Sequence, residues 1–536
     1  MSGDKKGIEA VKARVLASLP DKWKTAGILA VICVVQLFVF LYFGAQKSYL
    51  MNDELFTYGA SNNREGITME FPLNQWQDED LFMEYATPGE DAFCYSIPYY
   101  NQTLDVHPPL YYYLIHTISS FRPHEFSYWT GVGLNLVLLL GCTIVLYFLT
   151  MELFGRRGCA FLVSALFGLT YGALNTMLFV RMYMQFAFFL LLHLWVYAKY
   201  WEKERIEKKG CLFLGLTLIG GALTQYYFLI AAFFLGVWYT LKLLAQKRFW
   251  ETGFYLVTIL ISAGISLSLF PTMWNHIFHG TRGTQAQRAF LSLAGYPRSL
   301  LNMFNIISEQ MFGGHLWLVL ALIVLLLFAD SVLRRRVPLR PFMRAIPLIF
   351  MCAGYFLIVT KIAPYIIDRY MMPIYPVIFA LAAGFIYWLT EDLFRREVMG
   401  VVVCTVCLVL GILPILQGEI PRYAFREEQA HKELIQQYAD KKAVYIDREF
   451  YWWEYYNIVQ MLKEHKQFYV ISYARIVQWE IDAALEELAG DDEVIVYAGN
   501  SELDEEITEY IGDTVGAKEM VLLDEYNRWK IYRGIR

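Results

Sequence analysis

Long apolar runs recur through residues 26–416 of this chain. A helix needs roughly 20 apolar residues to cross a bilayer. Runs of that kind stand near 26–44, 128–150, 158–178, 182–199, 211–224, 226–244, 253–270, 314–333, 344–361, 370–390 and 398–416. The expectation is a polytopic α-helical membrane protein with about eleven transmembrane helices. Composition agrees: the 536 residues are 57% hydrophobic and 18% charged, against soluble norms nearer 45–50% and about 25%. A purely soluble protein is excluded on that ground.

Charge divides the chain. Residues 417–536 carry 25 acids against 14 bases, so with an overall net charge of -5 the remainder is +6. The expected layout is a cytoplasmic N-terminus (1–25), a membrane module (26–416) with large outer loops at 45–127 and 271–313, and an acidic C-terminal domain (417–536). Basic segments such as "FGRRG", "KYWEKERIEKKG", "AQKRFWE", "RRRVPLRPFMR" and "LFRRE" fall on one side if there are eleven spans. Lys and Arg concentrate on the cytoplasmic side, so the C-terminal domain and both large loops are expected outside. The basic leader lacks a small-residue cleavage site and reads as part of a retained first span. Seven of the eight cysteines sit in or beside apolar runs and none forms a paired CxxC, so a structural zinc site is not expected.

The tail reads as α/β. "KAVYID", "QFYVISY" and "DEVIVYAG" have the short apolar character of strands. "YWWEYYNIVQMLKEH" and "IVQWEIDAALEELAG" between them have helical periodicity, and "EMVLLDEYN" with "RWKIYRG" reads as a closing hairpin. This alternation predicts a small, mostly parallel sheet.

The polar residues of interest gather at the predicted outer face. Asp53 and Glu54 stand side by side just after the first span, where carboxylates close to hydrocarbon are costly. Late in the first outer loop, Pro108 and Pro109 stiffen the backbone after His107 and allow a helix to begin. The following "LYYYLIH" is expected to lie along the membrane interface. Arg181 opens the fourth predicted span, where it either snorkels or takes part in function. Asp368, Arg369 and Tyr370 open the tenth, beside Pro373 and Pro376. Outer loop 271–313 holds His276, His279, Arg282, Arg288 and Arg298 with one acid, Glu309. That basic loop suits an anionic lipid phosphate, and its glycines and Pro297 suggest an adaptable backbone. Asp78–Asp80 ("DED") reads either as a metal-holding motif or as a solvated acidic run.

Together these residues resemble the GT-C superfamily of integral-membrane glycosyltransferases, in particular the protein O-mannosyltransferase and aminoarabinose transferase branch. Asp53–Glu54 matches the Asp-Glu pair after the first span, and Asp105–Leu110 matches "DVHPPL". Arg181–Tyr183 and Arg369–Pro373 match the Arg-x-Tyr and Arg-Tyr-x-x-Pro of bacterial relatives. The resemblance covers residues 26–416; the C-terminal α/β unit departs from the mannosyltransferases. It implies a hexosyl- or pentosyltransferase that takes sugar from a polyprenyl phosphate and passes it to an acceptor hydroxyl on a glycan, lipid or protein. Asp53 is then the general base, with Glu54 as its alternate. His107, Arg181, Tyr183, Arg282, Arg288, Arg369 and Tyr370 bind the donor phosphate, and Asp105, Pro108 and Pro109 position the loop or the acceptor. No cofactor, obligatory metal or nucleic-acid partner is implied. A flippase for lipid-linked sugars, or a scaffold displaying the C-terminal domain, are the alternatives. The former calls for internal repeats and ionisable residues near the bilayer midplane, neither of which is evident.

Overall fold

The computed structural model describes residues 3–70, 72–200, 207–292, 294–334, 339–447, 453–472, 486–488, 490–499, 502–526 and 528–536. The chain divides into two units. One comprises Met1–Ala45, Val132–Leu178 and Met182–Pro421; the other comprises Gln46–Gly131, Phe179–Arg181 and Arg422–Arg536. The first outer loop, assigned from sequence to the membrane module, therefore groups with the C-terminal tail.

The first unit is helical. Among the described residues, seven helices are long and apolar enough to cross a membrane: Lys22–Gly44, Tyr128–Phe154, Phe228–Ala245, Phe249–Leu269, Leu316–Leu333, Met343–Ile362 and Met372–Phe394. Arg157–Phe167 and Tyr171–Leu178 make an eighth if the pair, bent by 52°, is one span. Helices Tyr183–Tyr200, Lys208–Ala222 and Glu397–Val409 stand where further crossings were expected. The first is diluted by Gln185, His193 and Lys199, and the others are short, so eleven crossings are not reached by length and composition. Val31, Val34, Val35 and Phe38 of the first span are exposed, as are Leu256, Val257, Leu260 and Ile261 of Phe249–Leu269. Such broad exposed apolar faces belong in lipid, and the chain is a multi-pass membrane protein.

Residues 271–313, expected as an adaptable loop, are mostly helical: Met273–Phe278, Thr281–Leu291 and Tyr296–Phe312. Gly295 takes a left-handed φ of 71° before the third helix, and Pro297 sits in its first turn. A proline there loses no intrahelical bond, so the residues that suggested a loop instead punctuate helices.

The second unit is built on a six-stranded sheet: β1 (Trp76–Gln77), β2 (Lys442–Asp447), β3 (Gln467–Ser472), β4 (Glu493–Gly499), β5 (Glu519–Tyr526) and β6 (Trp529–Ile535), in the order β1-β3-β2-β4-β6-β5. Only β3-β2-β4 is parallel; β1/β3, β4/β6 and β5/β6 are antiparallel. The sheet is thus mixed, where a mostly parallel one was expected, because β5 and β6 form the hairpin and the outer loop adds β1 at the far edge. Successive residues of β2 face opposite cores, as strand geometry requires. Val444 and Ile446 join Ile507, Ile511 and Val515 on one face. Ala443 and Tyr445 join Ile458, Met461 and Leu462 on the other. Helix Glu502–Thr514 covers the first face and Trp453–Leu462 the second. The helix expected over "IVQWEIDAALEELAG" falls almost wholly outside the described residues.

Candidate functional site

Helix Asn52–Asn62 carries the Asp-Glu pair in its first turn, where carboxylates complement the unbonded N–H groups of a helix start. The two acids differ sharply. Asp53 is partly exposed, and its carbonyl accepts a bond from Arg181. Glu54 is fully buried, and so is Lys47, whose Nζ lies 2.8 Å from Glu54 Oε1. Glu54 Oε1 also accepts the Val180 N–H at 2.8 Å, and Oε2 accepts the Met51 N–H at 3.0 Å. Burial pushes the Glu54 carboxyl up and the Lys47 ammonium down, and their mutual attraction opposes both shifts.

Val180 approaches closely because residue 131 is glycine. A Cβ there would stand 2.0 Å from Val180 Cγ1. The next residue, Arg181, is buried and spends Nη1 on the Asp53 carbonyl and on Thr57 Oγ1, each at 3.1 Å. Its Nη2 lies 3.4 Å from His107 Nε2.

His107 is held from its other side by Asp105, with Nδ1 2.8 Å from Asp105 Oδ2. Burial alone would raise Asp105. The His107 and Arg181 charges and the His107 hydrogen bond win and hold its carboxyl down to about 2. Pro108 and Pro109 are buried, and helix Leu110–Ser119 begins directly after them, as the stiff double proline predicts. Tyr111 and Tyr112 of that helix are wholly buried. They pack inside the unit, where the sequence suggested a membrane interface.

Sites in the membrane unit form a separate group. Asp368–Tyr370 and Met372–Ile374 are 3₁₀ turns preceding helix Tyr375–Phe394. The buried Asp368 accepts the Arg369 N–H at 2.8 Å. The Arg369 guanidinium lies 5.5 Å from the Tyr370 ring centre, and Tyr370 meets Tyr183 at 6.5 Å and Tyr227 at 5.7 Å. Arg282, exposed on helix Thr281–Leu291, stands 6.0 Å from the Tyr365 ring. Arg288 is exposed on the same helix. His276 accepts or donates a 2.8 Å bond with Tyr226. An apolar cavity of about 610 Å³ lies in this unit, lined by Leu229, Phe233, Val237, Leu256, Ile259 and Trp274 among others.

The structure thus brings Asp53, Glu54, Asp105, His107 and Arg181 together in one unit. It gathers Tyr183, Arg369 and Tyr370 in the other. Asp78 and Asp80 line a polar cleft with Lys463, Glu464, His465 and Lys466. Sequence reasoning missed Lys47 and Val180. Lys47 carried one signal, a cation placed directly after the first span.

Among the solved structures the chain is similar to is ArnT from Cupriavidus metallidurans bound to undecaprenyl phosphate, with a TM-score of 0.52 and 11% identity over 95% of this chain and 97% of that one. ArnT from the same organism in the apo state aligns at a TM-score of 0.49 and 12% identity, over 96% and 98%. No family model matches the chain, and no curated protein does. At this identity the likeness shows a shared fold: a polytopic helical body with a small C-terminal sheet domain.

Proposed function

We propose that this protein is a membrane glycosyltransferase that moves a sugar from a polyprenyl phosphate to an acceptor hydroxyl at the outer membrane face. The observation that carries this reading is convergence. Three motif fragments far apart in sequence, at 53–54, 105–107 and 181, meet through Arg181, which touches both the Asp53 carbonyl and His107. The match to a structure holding undecaprenyl phosphate supports the lipid donor, and the apolar cavity suits an isoprenoid chain.

The candidate residues take different parts of the chemistry. Asp53 takes the proton of the acceptor hydroxyl as its oxygen attacks the anomeric carbon. The bond from that carbon to the phosphate oxygen breaks, and the polyprenyl phosphate leaves with an added negative charge. One carboxylate acting in one displacement inverts the anomeric centre. Arg282, Arg288 and Arg369, with Tyr183 and Tyr370 beside the last, suit the phosphate, since guanidinium donors match its oxygens. Arg181, His107 and Asp105 form a string that fixes the turn carrying Asp53 and sets a positive charge beside it. Stabilisation of the leaving phosphate by arginines requires no divalent ion.

The test is transfer in isolated membranes from radiolabelled undecaprenyl-phosphate hexose and pentose donors. The expected result is a labelled acceptor of inverted anomeric configuration, lost in Asp53→Asn. Transport of the donor without any transfer would overturn the reading in favour of a flippase.

A further inference from the structure

We propose that Lys47 and Glu54 are positioning residues: a buried pair, completed by the start of the C-terminal segment, that holds Asp53 and Arg181 in their working arrangement. This rests on the glycosyltransferase reading and deepens it.

Three stretches of chain, at 47–54, 180–181 and 423–425, meet at the pair. Lys47 bonds Glu54 and also donates to the Tyr423 carbonyl at 2.8 Å, with its ammonium 5.2 Å from the Phe425 ring centre. Glu54 takes the backbone N–H groups of Met51 and Val180. Asp53 directly precedes Glu54, and Arg181 directly follows Val180, so both functional residues are chain neighbours of clamped groups. Arg181 then returns to the Asp53 carbonyl. The result is a closed ring of contacts on one helical turn, with Glu54 fixing the backbone of 180 and Arg181 fixing that of 53.

Both Glu54 oxygens are committed and the side chain has no exposed surface. It is thus poorly placed to take a proton from an incoming hydroxyl, which must come within hydrogen-bond reach. A buried ion pair is also weak as a pure stability device, because apolar residues of similar volume commonly do as well. What an apolar pair could not do is receive two backbone N–H groups and donate to a carbonyl in a set geometry. The approach to Asp53 is fixed from the C-terminal segment a second time. Gln460 accepts from the Leu50 N–H at 3.0 Å and donates to the Leu50 carbonyl at 2.7 Å.

The experiment compares full-length wild type, Glu54→Gln, Lys47→Met and the double variant, in membranes with the radiolabelled donor. Glu54→Gln is expected to lower kcat about 100-fold, as small misplacements of reacting groups do, and to leave the donor KM within about threefold. The acid limb of the pH–rate profile stays, because Asp53 is intact. The double variant is expected to recover at least about tenfold over the poorer single variant, since no uncompensated buried charge remains. Loss of the acid limb in Glu54→Gln, or a double variant no better than the poorer single, would overturn the pairing. Hydrogen exchange tests the geometry without activity. Glu54→Gln should speed exchange at 47–51 and 179–181 and leave helix Glu502–Thr514 unchanged. Unchanged protection of 179–181 would likewise overturn it. Absence of transfer in wild type would bear on the proposed function alone, with exchange still deciding the pair.

Discussion

Arg181 and Arg282 are both cations that the sequence places near donor chemistry, and the structure treats them in opposite ways. Arg181 is buried, with its donors turned onto the Asp53 carbonyl, Thr57 and His107. Arg282 is exposed on a helix with no buried residue, beside the Tyr365 ring and Gln285. An arginine whose donors are spent on its own fold acts through geometry and fixed charge. An exposed arginine against an aromatic ring keeps donors for an incoming anion. On the proposed reading, the same residue type serves as framework at 181 and as ligand at 282.

The sharpest test of that division is the group the framework holds. Asp53→Asn should reduce turnover about 10³-fold, the scale of a lost general base, with donor binding unchanged in a radiolabelled filter assay. Turnover near normal would remove the reason for the framework.

Arg181→Ala should come next, with kcat down about 100-fold through displaced geometry. It should also destabilise the protein by about 2–4 kcal/mol from the lost buried charge-assisted bonds, read by thermal unfolding in detergent. A rise in donor KM at constant kcat would break the comparison and make Arg181 a phosphate ligand. Arg282→Ala should show the reverse pattern: donor KM up about tenfold, kcat and melting temperature unchanged.

A smaller effect sharpens the contrast on the framework side. His465 is buried, its Nδ1–H donating to the Tyr438 carbonyl and its Nε2 accepting from the Tyr497 hydroxyl. Burial pushes it down to about 4 from 6.5. The unfolded chain thus takes up a proton near 6.5 and the folded chain only near 4. Its contribution is fully present above pH 6.5 and is lost as pH falls from 6.5 to about 4, by about 3 kcal/mol in all. Hydrogen exchange of β2–β4 at pH 7 and pH 5 should show the loss, and His465→Gln should flatten it. The smallest expected effect is that of chelation: EDTA should leave transfer within about twofold, since arginines neutralise the leaving phosphate. Rescue of a chelated enzyme by manganese would bring Asp78 and Asp80 forward.

Much of this was legible in the sequence because its signals are periodic or local. The apolar runs gave the membrane body, and alternation gave β2, β3, β4 and the β5–β6 hairpin. Asp53 and Arg181 stood out as charges where charge is costly, and His107 by the two prolines that follow it. What escaped depends on long-range pairing. β1 is two residues long and exists because Trp76 pairs with Tyr469, which no local pattern encodes. Lys47 escaped because its partners, at 54 and 423, lie across a turn and far along the chain. The span predicted at 158–178 is broken, since Tyr171–Leu178 is a separate helix bent from its predecessor. The "loop" at 271–313 misled because glycine and proline mark helix starts as well as turns.

The pairing of β1 with β3 has a consequence for how the protein is made. The first outer loop leaves the ribosome long before residues 422–536, yet its edge strand, the Lys47 contact to Tyr423 and the Gln460 clamp on Leu50 all need partners from that late stretch. Contacts of such sequence separation form slowly and only after the intervening chain exists. The turn bearing Asp53 therefore gains these contacts only after residues 423–469 have been made, later than the membrane helices. A nascent chain stalled before residue 422 would hold the Asp53 turn without the Lys47, Leu50 and β1 contacts, so synthesis of the later stretch is what sets that turn.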